Sequence, residues 1–143
     1  MKKENFYLIT GVMLLFLIGA FIYTQGRDTT QAATDETTVI RQTISPADYH
    51  AQFIDNLTPH VLIDVRTPAE YADGHIANSI NISVDQITNR LNEIPRDQPI
   101  VVYCRSGNRS AQASQILSNL GYNIIYDLGG IQQWTAQGYL LES

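Results

Sequence analysis

The segment VVYCRSGNRSAQ (Val101–Gln112) contains the only cysteine of a 143-residue chain. Cys104 closes an apolar run, a short polar loop comes next, and a helical pattern begins near Asn108 or Arg109. A sulfur at the end of a buried strand then faces loop N–H groups and the free donors of a helix's first turn. Those dipoles, with the guanidiniums of Arg105 and Arg109, favour a thiolate. Cysteines so placed titrate at ~3.5–7.5 instead of ~8.5. Gly107 supplies the backbone freedom such a loop needs. A lone cysteine is more often a small buried hydrophobe. The glycine and two arginines within five residues favour a reactive thiol instead. Cys104 is therefore the candidate nucleophile. The N–H groups of Arg105, Ser106, Gly107, Asn108 and Arg109 are expected to surround the charge that develops on it. Arg105 is expected to point outwards and dock an anionic substrate. Arg109 is expected to turn towards the loop or its flank and hold its shape, and Ser110 to cap the helix.

Other polar residues carry structural expectations. Asp64 and Arg66 beside Glu70 are expected to fix a strand-to-helix turn, because ion-pair networks imitate active sites. His75 follows Gly74 and is expected to brace a loop, Trp134 to pack the last helix over the sheet, and His50 and His60 carry no signal. One cysteine excludes an internal disulfide, a Cys-x-x-Cys redox pair and a multi-cysteine metal site, and no cluster has metal-ligand spacing. Nothing in the motifs calls for a cofactor. Fourteen acidic against nine basic residues give a net charge of −5, and Lys2 and Lys3 are the only lysines. With no basic face to follow a phosphate backbone, nucleic acid is excluded as a partner.

The elements that must position Cys104 alternate between two periods. Apolar runs at Val61–Val65, Ser79–Ile82, Ile100–Cys104 and Asn123–Leu128 suit strands covered on both faces. Between them, Ser45-Pro46-Ala47-Asp48 and Thr67-Pro68-Ala69-Glu70 each place a cap, a proline and a first-turn carboxylate. Ser83-Val84-Asp85-Gln86 has the form of a capping box, with Val84, Ile87, Leu91 and Ile94 on one helical face. After Cys104, Ala113, Ile116, Leu117 and Leu120 share a face and Gly121 stops the helix. Strands alternating with short helices imply an α/β domain with a parallel sheet and helices on both sides. Ligands then bind beyond the carboxyl ends of its strands.

Before this domain lie three other segments. Residues 1–5 precede Phe6–Tyr23, eighteen residues without a charge. As a helix that run spans roughly 27 Å, close to bilayer thickness. A cleaved signal and an uncleaved anchor compete. The length and the lack of a good small-x-small site favour a transmembrane signal-anchor. Thr24–Thr43, with seven threonines and no periodicity, is expected to be a flexible linker, and 44–143 the folded domain.

Three motifs, in order, resemble those of the single-domain rhodaneses. These are DVRTPAEYADGHIANSINIS (Asp64–Ser83), CRSGNRS (Cys104–Ser110) and LGGIQQWTAQGY (Leu128–Tyr139). The resemblance implies a five-stranded parallel sheet and a cysteine that carries sulfur as a persulfide. It also implies double displacement, in which a donor such as thiosulfate loads Cys104 and a nucleophile such as cyanide or a thiol, small or protein-borne, unloads it. Asn78, Ser79 and Ser83 depart from the family's usual glycine, alanine and proline, and Asn78 still tolerates positive φ. Two alternatives stand beside this one. One is a non-catalytic module that only binds a partner, although degenerate modules commonly lack the cysteine. The other is a cysteine-based phosphatase or arsenate reductase, whose loops hold one residue more between cysteine and arginine than the four here.

Lys2 and Lys3 precede the span and only Arg27 lies close after it, so the positive-inside rule places the domain outside the cytoplasm. Protease added to intact spheroplasts is expected to remove residues 44–143. Full protection until lysis would overturn this topology.

Overall fold

Five consecutive buried residues run through the centre of the sheet: Ile100–Cys104 are each 1% exposed or less. A strand without polar alternation must be covered on both faces, and the computed structural model, which describes residues 39–143, shows both covers. The span Phe6–Tyr23 and residues 24–38 of the linker lie outside the described residues. Among the described residues no helix is long and apolar enough to cross a membrane.

The elements are β1 (Ile40–Thr43), α1 (Pro46–Tyr49), β2 (Val61–Asp64), α2 (Pro68–Ala72), β3 (Ile80–Asn81), β4 (Ile100–Cys104), α3 (Asn108–Asn119), β5 (Ile124–Gly130) and α4 (Ile131–Ala136). A π-helical turn, His50–Asp55, continues α1. All strands are parallel, in the order β1-β5-β4-β2-β3. The expected five-stranded parallel α/β sheet is the one observed. On one face Ile63, Val65, Val102, Cys104 and Ile125 pack against Ala113 and Leu117 of α3. On the other, Leu62, Val101, Tyr103 and Leu128 pack against Tyr49, Phe53 and Trp134. Each fully buried aliphatic side chain contributes about 1.5–3 kcal/mol.

Two boundaries differ from expectation. Ile40–Thr43 is not linker: it pairs in register with Ile124–Asp127 as an edge strand, so the domain begins before Ile44. The isolated pattern is too short and too polar to mark a strand, and it is β5 that supplies the partner. The helix expected after Ser83 is two 3-10 segments, Val84–Asn89 and Leu91–Glu93, with no side-chain cap. Ser83 instead donates its hydroxyl to the Arg66 carbonyl, at 2.9 Å. Thr88, Asn89 and Asn92 favour local backbone bonding over a regular helix, yet Ile87 and Ile94 still reach the core. The other signals match. Ser45 and Thr67 cap α1 and α2, the latter in a full capping box. Gly121 follows α3 at φ +81°, and Asn78 sits at φ +63°.

At the C-terminal end of β2, Asp64 (fully buried) and Arg66 form an ion pair at 2.6 Å. Asp64 also accepts the Arg66 backbone N–H, and the guanidinium donates onward to the Gly74 carbonyl at 2.7 Å. This fixes the strand-to-helix turn beside the sheet's functional end. Asp64→Ala leaves the guanidinium buried without its counter-charge and is expected to cost about 3–5 kcal/mol. Urea unfolding of the variant checks this, and a loss under about 1 kcal/mol would refute it.

Candidate active site

Cys104 is the last residue of β4, and its neighbour in register across the sheet is Gly130 of β5. One position earlier the ladder slips: Val102 pairs with Asp127 but Tyr103 with Gly129, so Leu128 is extra. Such a bulge bends a strand end and re-aims the residues beyond it. The chain then turns through exposed Arg105 and Ser106 to Gly107, at φ +107° and ψ −22°, and enters α3 at Asn108. No side chain other than glycine takes that dihedral pair comfortably.

The turn delivers the Gly107 N–H to Cys104 Sγ at 3.1 Å. Cys104 is 1% exposed. Burial pushes its thiol up, but hydrogen bonds from the amides of Ser110, Gly107 and Ser106, with the Ser110 hydroxyl close by, outweigh burial, and the thiol lies below its ordinary value. Of the five amides expected around the sulfur, those of Ser106 and Gly107 act on Sγ itself. Ser110 does not take the expected role of capping α3; the cap position belongs to Gly107. Fully buried, Ser110 donates its Oγ–H to the Gly107 carbonyl (2.9 Å) and lies 3.8 Å from the sulfur.

Arg109 turns to the flank of the loop. Its Nη1 and Nη2 donate to the two carboxylate oxygens of Glu70 at 2.7 and 2.8 Å. Glu70 is also the capping-box residue of α2, accepting the Thr67 N–H at 3.0 Å. The Arg109 bond, aided by Thr67, lowers the Glu70 carboxyl from 4.5 to about 2. A depressed carboxyl stabilises the fold fully above its unfolded value, and loses that effect only as pH falls through about 2. The expected trio of Asp64, Arg66 and Glu70 is thus divided: Asp64 holds Arg66, and Glu70 holds Arg109. Arg105 is exposed and enters no ion pair among the described residues.

His75 exchanges backbone hydrogen bonds with Glu142 and stacks on Tyr71, which fits loop bracing. Trp134 is buried against Tyr49, His50 and Tyr139. No group of metal-ligating side chains occurs among the described residues.

Gly130, to which the sequence motifs assign no role, forms the floor of the loop. A Cβ there would meet the Arg105 carbonyl oxygen at 2.7 Å and Ser106 Cα at 2.8 Å, both rigid backbone. Gly130→Ala is therefore expected to push the loop off the sulfur. The thiolate is the reactive form, so alkylation by iodoacetamide rises with pH and is half-maximal at the folded pKa. In the native chain that midpoint is expected below ~8.5. In Gly130→Ala it is expected to rise as the amide bonds loosen. An unshifted midpoint would show that the loop tolerates the methyl group.

The family model of the rhodanese-like domain matches residues 45–137. A sulfurtransferase of Allochromatium vinosum is 44% identical over 79 residues, 54% of this chain and 74% of that protein. The uncharacterized protein YqhL of Bacillus subtilis is 31% identical over 128 residues, 89% of this chain and 88% of its own length. A rhodanese-related protein from Thermoplasma volcanium matches in structure with a TM-score of 0.61 and 40% identity, covering 71% of this chain and 97% of its own. The family match runs from the cap of α1 through the cysteine loop to the end of α4, and the chain belongs to the rhodanese-like domain family.

Proposed function

We propose that the chain is a sulfurtransferase that carries sulfane sulfur as a persulfide on Cys104. The observation that carries this reading is the Gly107 N–H bonded to a thiol that is 1% exposed yet lowered in pKa. A thiolate kept in a dry site by oriented amides is a strong, poorly solvated nucleophile. With thiosulfate as donor, Cys104 Sγ attacks the outer sulfur. One S–S bond forms, the bond to the sulfite sulfur breaks, and sulfite leaves with the electron pair. Cyanide, or an acceptor thiolate, then attacks the outer sulfur of the persulfide and releases the Cys104 thiolate unchanged. The N–H groups of Arg105 to Arg109 stabilise the charge of the outer sulfur. Arg105, exposed at the loop's rim, docks the donor anion, and Arg109 holds the loop through Glu70. The reading needs no metal and no cofactor. Its partners are a small sulfur donor and a small or protein-borne acceptor, with the domain tethered outside the cytoplasm by Phe6–Tyr23.

A phosphatase or arsenate reductase would need a loop arginine turned onto the oxyanion. Here Arg109 is held in a bidentate pair with Glu70, and only four residues separate it from Cys104. A module that only binds would have no use for a depressed thiol.

The full-length chain is expected to turn thiosulfate and cyanide into thiocyanate, and to hydrolyse aryl phosphates far more slowly. Cys104 incubated with thiosulfate alone is expected to gain the mass of one sulfur atom and to lose it to cyanide. Cys104→Ser is expected to abolish both. Arg105→Ala is expected to raise KM for thiosulfate more than it lowers kcat, as loss of uniform binding does. Turnover by Cys104→Ser, or phosphatase activity above sulfur transfer, would overturn the reading.

A further inference from the structure

A cleft of about 250 Å³ opens between β1, β5 and α3, lined by Arg41, Gln42, Thr43, Ala111, Ser114 and Asp127. None of these residues belongs to the loop from Cys104 to Arg109. Ser114 is 3% exposed, and its hydroxyl is the one buried side-chain polar atom without a hydrogen-bond partner among the described residues. A buried hydroxyl left unpaired is a standing cost that a ligand can remove. Opposite it, Arg41 and Thr43 lie two apart on one face of β1, and Thr43 is in register with Asp127 of β5.

The charges in this cleft do not neutralise each other. The ion pairs among the described residues are Asp64–Arg66, Glu93–Arg90 and Glu70–Arg109, so the guanidinium of Arg41 and the carboxylate of Asp127 face one cleft without joining. Among the described residues one Arg41 nitrogen donates to Gln115 Oε1 and the other donors of the fork have no partner, so they remain for a ligand. Asp127 Oδ1 accepts the Gly129 N–H at 2.9 Å, which leaves Oδ2. A cation, an anionic acceptor and two hydroxyls around one small space match a ligand with both charges. A carboxylate suits the arginine fork, and an ammonium suits the remaining aspartate oxygen. The volume is roughly eight times a water's share of the liquid and below the usual drug-sized pocket, so the ligand is small. A metal ion is disfavoured by the guanidinium. We propose that this cleft binds a small α-amino acid in its zwitterionic form.

Glycine is the probe, titrated calorimetrically into the full-length chain, with glycolate (no ammonium) and ethanolamine (no carboxylate) as controls. Glycine is expected to bind saturably with one site per chain, and each control at least roughly tenfold more weakly, since each leaves one charged group of the cleft unanswered. Ser114→Ala removes only the unpaired hydroxyl. Asp127→Asn keeps an acceptor for Gly129, and Arg41→Ala lies on an exposed edge. Each is expected to weaken glycine by about tenfold. Cys104→Ser is expected to bind glycine as the native chain does, which separates this site from the sulfur chemistry. No saturable binding of glycine, equal binding of glycolate, or unchanged binding in all three cleft variants would overturn the proposal. So would loss of binding in Cys104→Ser.

Discussion

The site rests on a contest at one sulfur atom. Cys104 lies in a nearly dry position, where burial alone would keep the thiol protonated. The outcome is reversed by a set of backbone dipoles, led by the amides of Ser110 and Gly107, that are aimed at Sγ before any substrate arrives. Dipoles built into a turn need no reorganisation when charge develops, which is why they outperform water at the same task. The site's power therefore lies in main-chain geometry. Its surroundings serve to hold that geometry.

Three supports hold it. Below the loop, Gly130 lets β5 approach to within contact of the Arg105 and Ser106 backbone, and the Arg105 carbonyl accepts the Gln132 N–H at the start of α4. Beside the loop, Arg109 is gripped by Glu70, itself held at the N-terminus of α2 by Thr67. Within it, Ser110 bonds the Gly107 carbonyl and so fixes the peptide next to the amide that faces the sulfur. The bulge at Leu128 sets the offset that brings Gly130, not a bulkier neighbour, opposite Cys104. Remote segments 39 positions apart, at Glu70 and Arg109, thus meet to constrain a few peptide planes.

The parts of this arrangement written in local chemistry are legible without the fold. Strand-end Cys104, Gly107, the α3 start and the Thr67 cap with its first-turn carboxylate all derive from neighbours along the chain. The illegible parts depend on register or distance. β1 has no signature of its own because an edge strand of four residues, three of them exposed, is recognisable only through its pairing with β5. Gly130 could have been suspected from a Gly-Gly pair ending an apolar run, since side chains vanish where backbones approach closely. The Glu70–Arg109 pair has no such signal. Glu70 is already explained by its capping box, and it is the topology that gives its carboxylate a second partner in Arg109. Ser83 fails in the opposite sense: its pattern fits a cap, but its hydroxyl is turned to the Arg66 carbonyl and accepts no helix N–H.

The two arginines of the loop illustrate why residue type alone does not assign a role. Arg105 and Arg109 lie four apart, carry the same charge, and would each serve an anion. Their surroundings separate them. Arg109, about a third exposed in its side chain, finds a carboxylate in bidentate geometry, and a guanidinium so satisfied has little left to offer a substrate. It still acts on the cysteine, because its positive charge lies near enough for the two to influence each other. Arg105 has no carboxylate partner among the described residues and stands at the exposed rim. One arginine thus supports the thiolate from a fixed position while the other meets the solvent. A loop one residue longer would loosen that division by giving the second guanidinium a path back over the sulfur. The short loop and the glutamate together hold it outside.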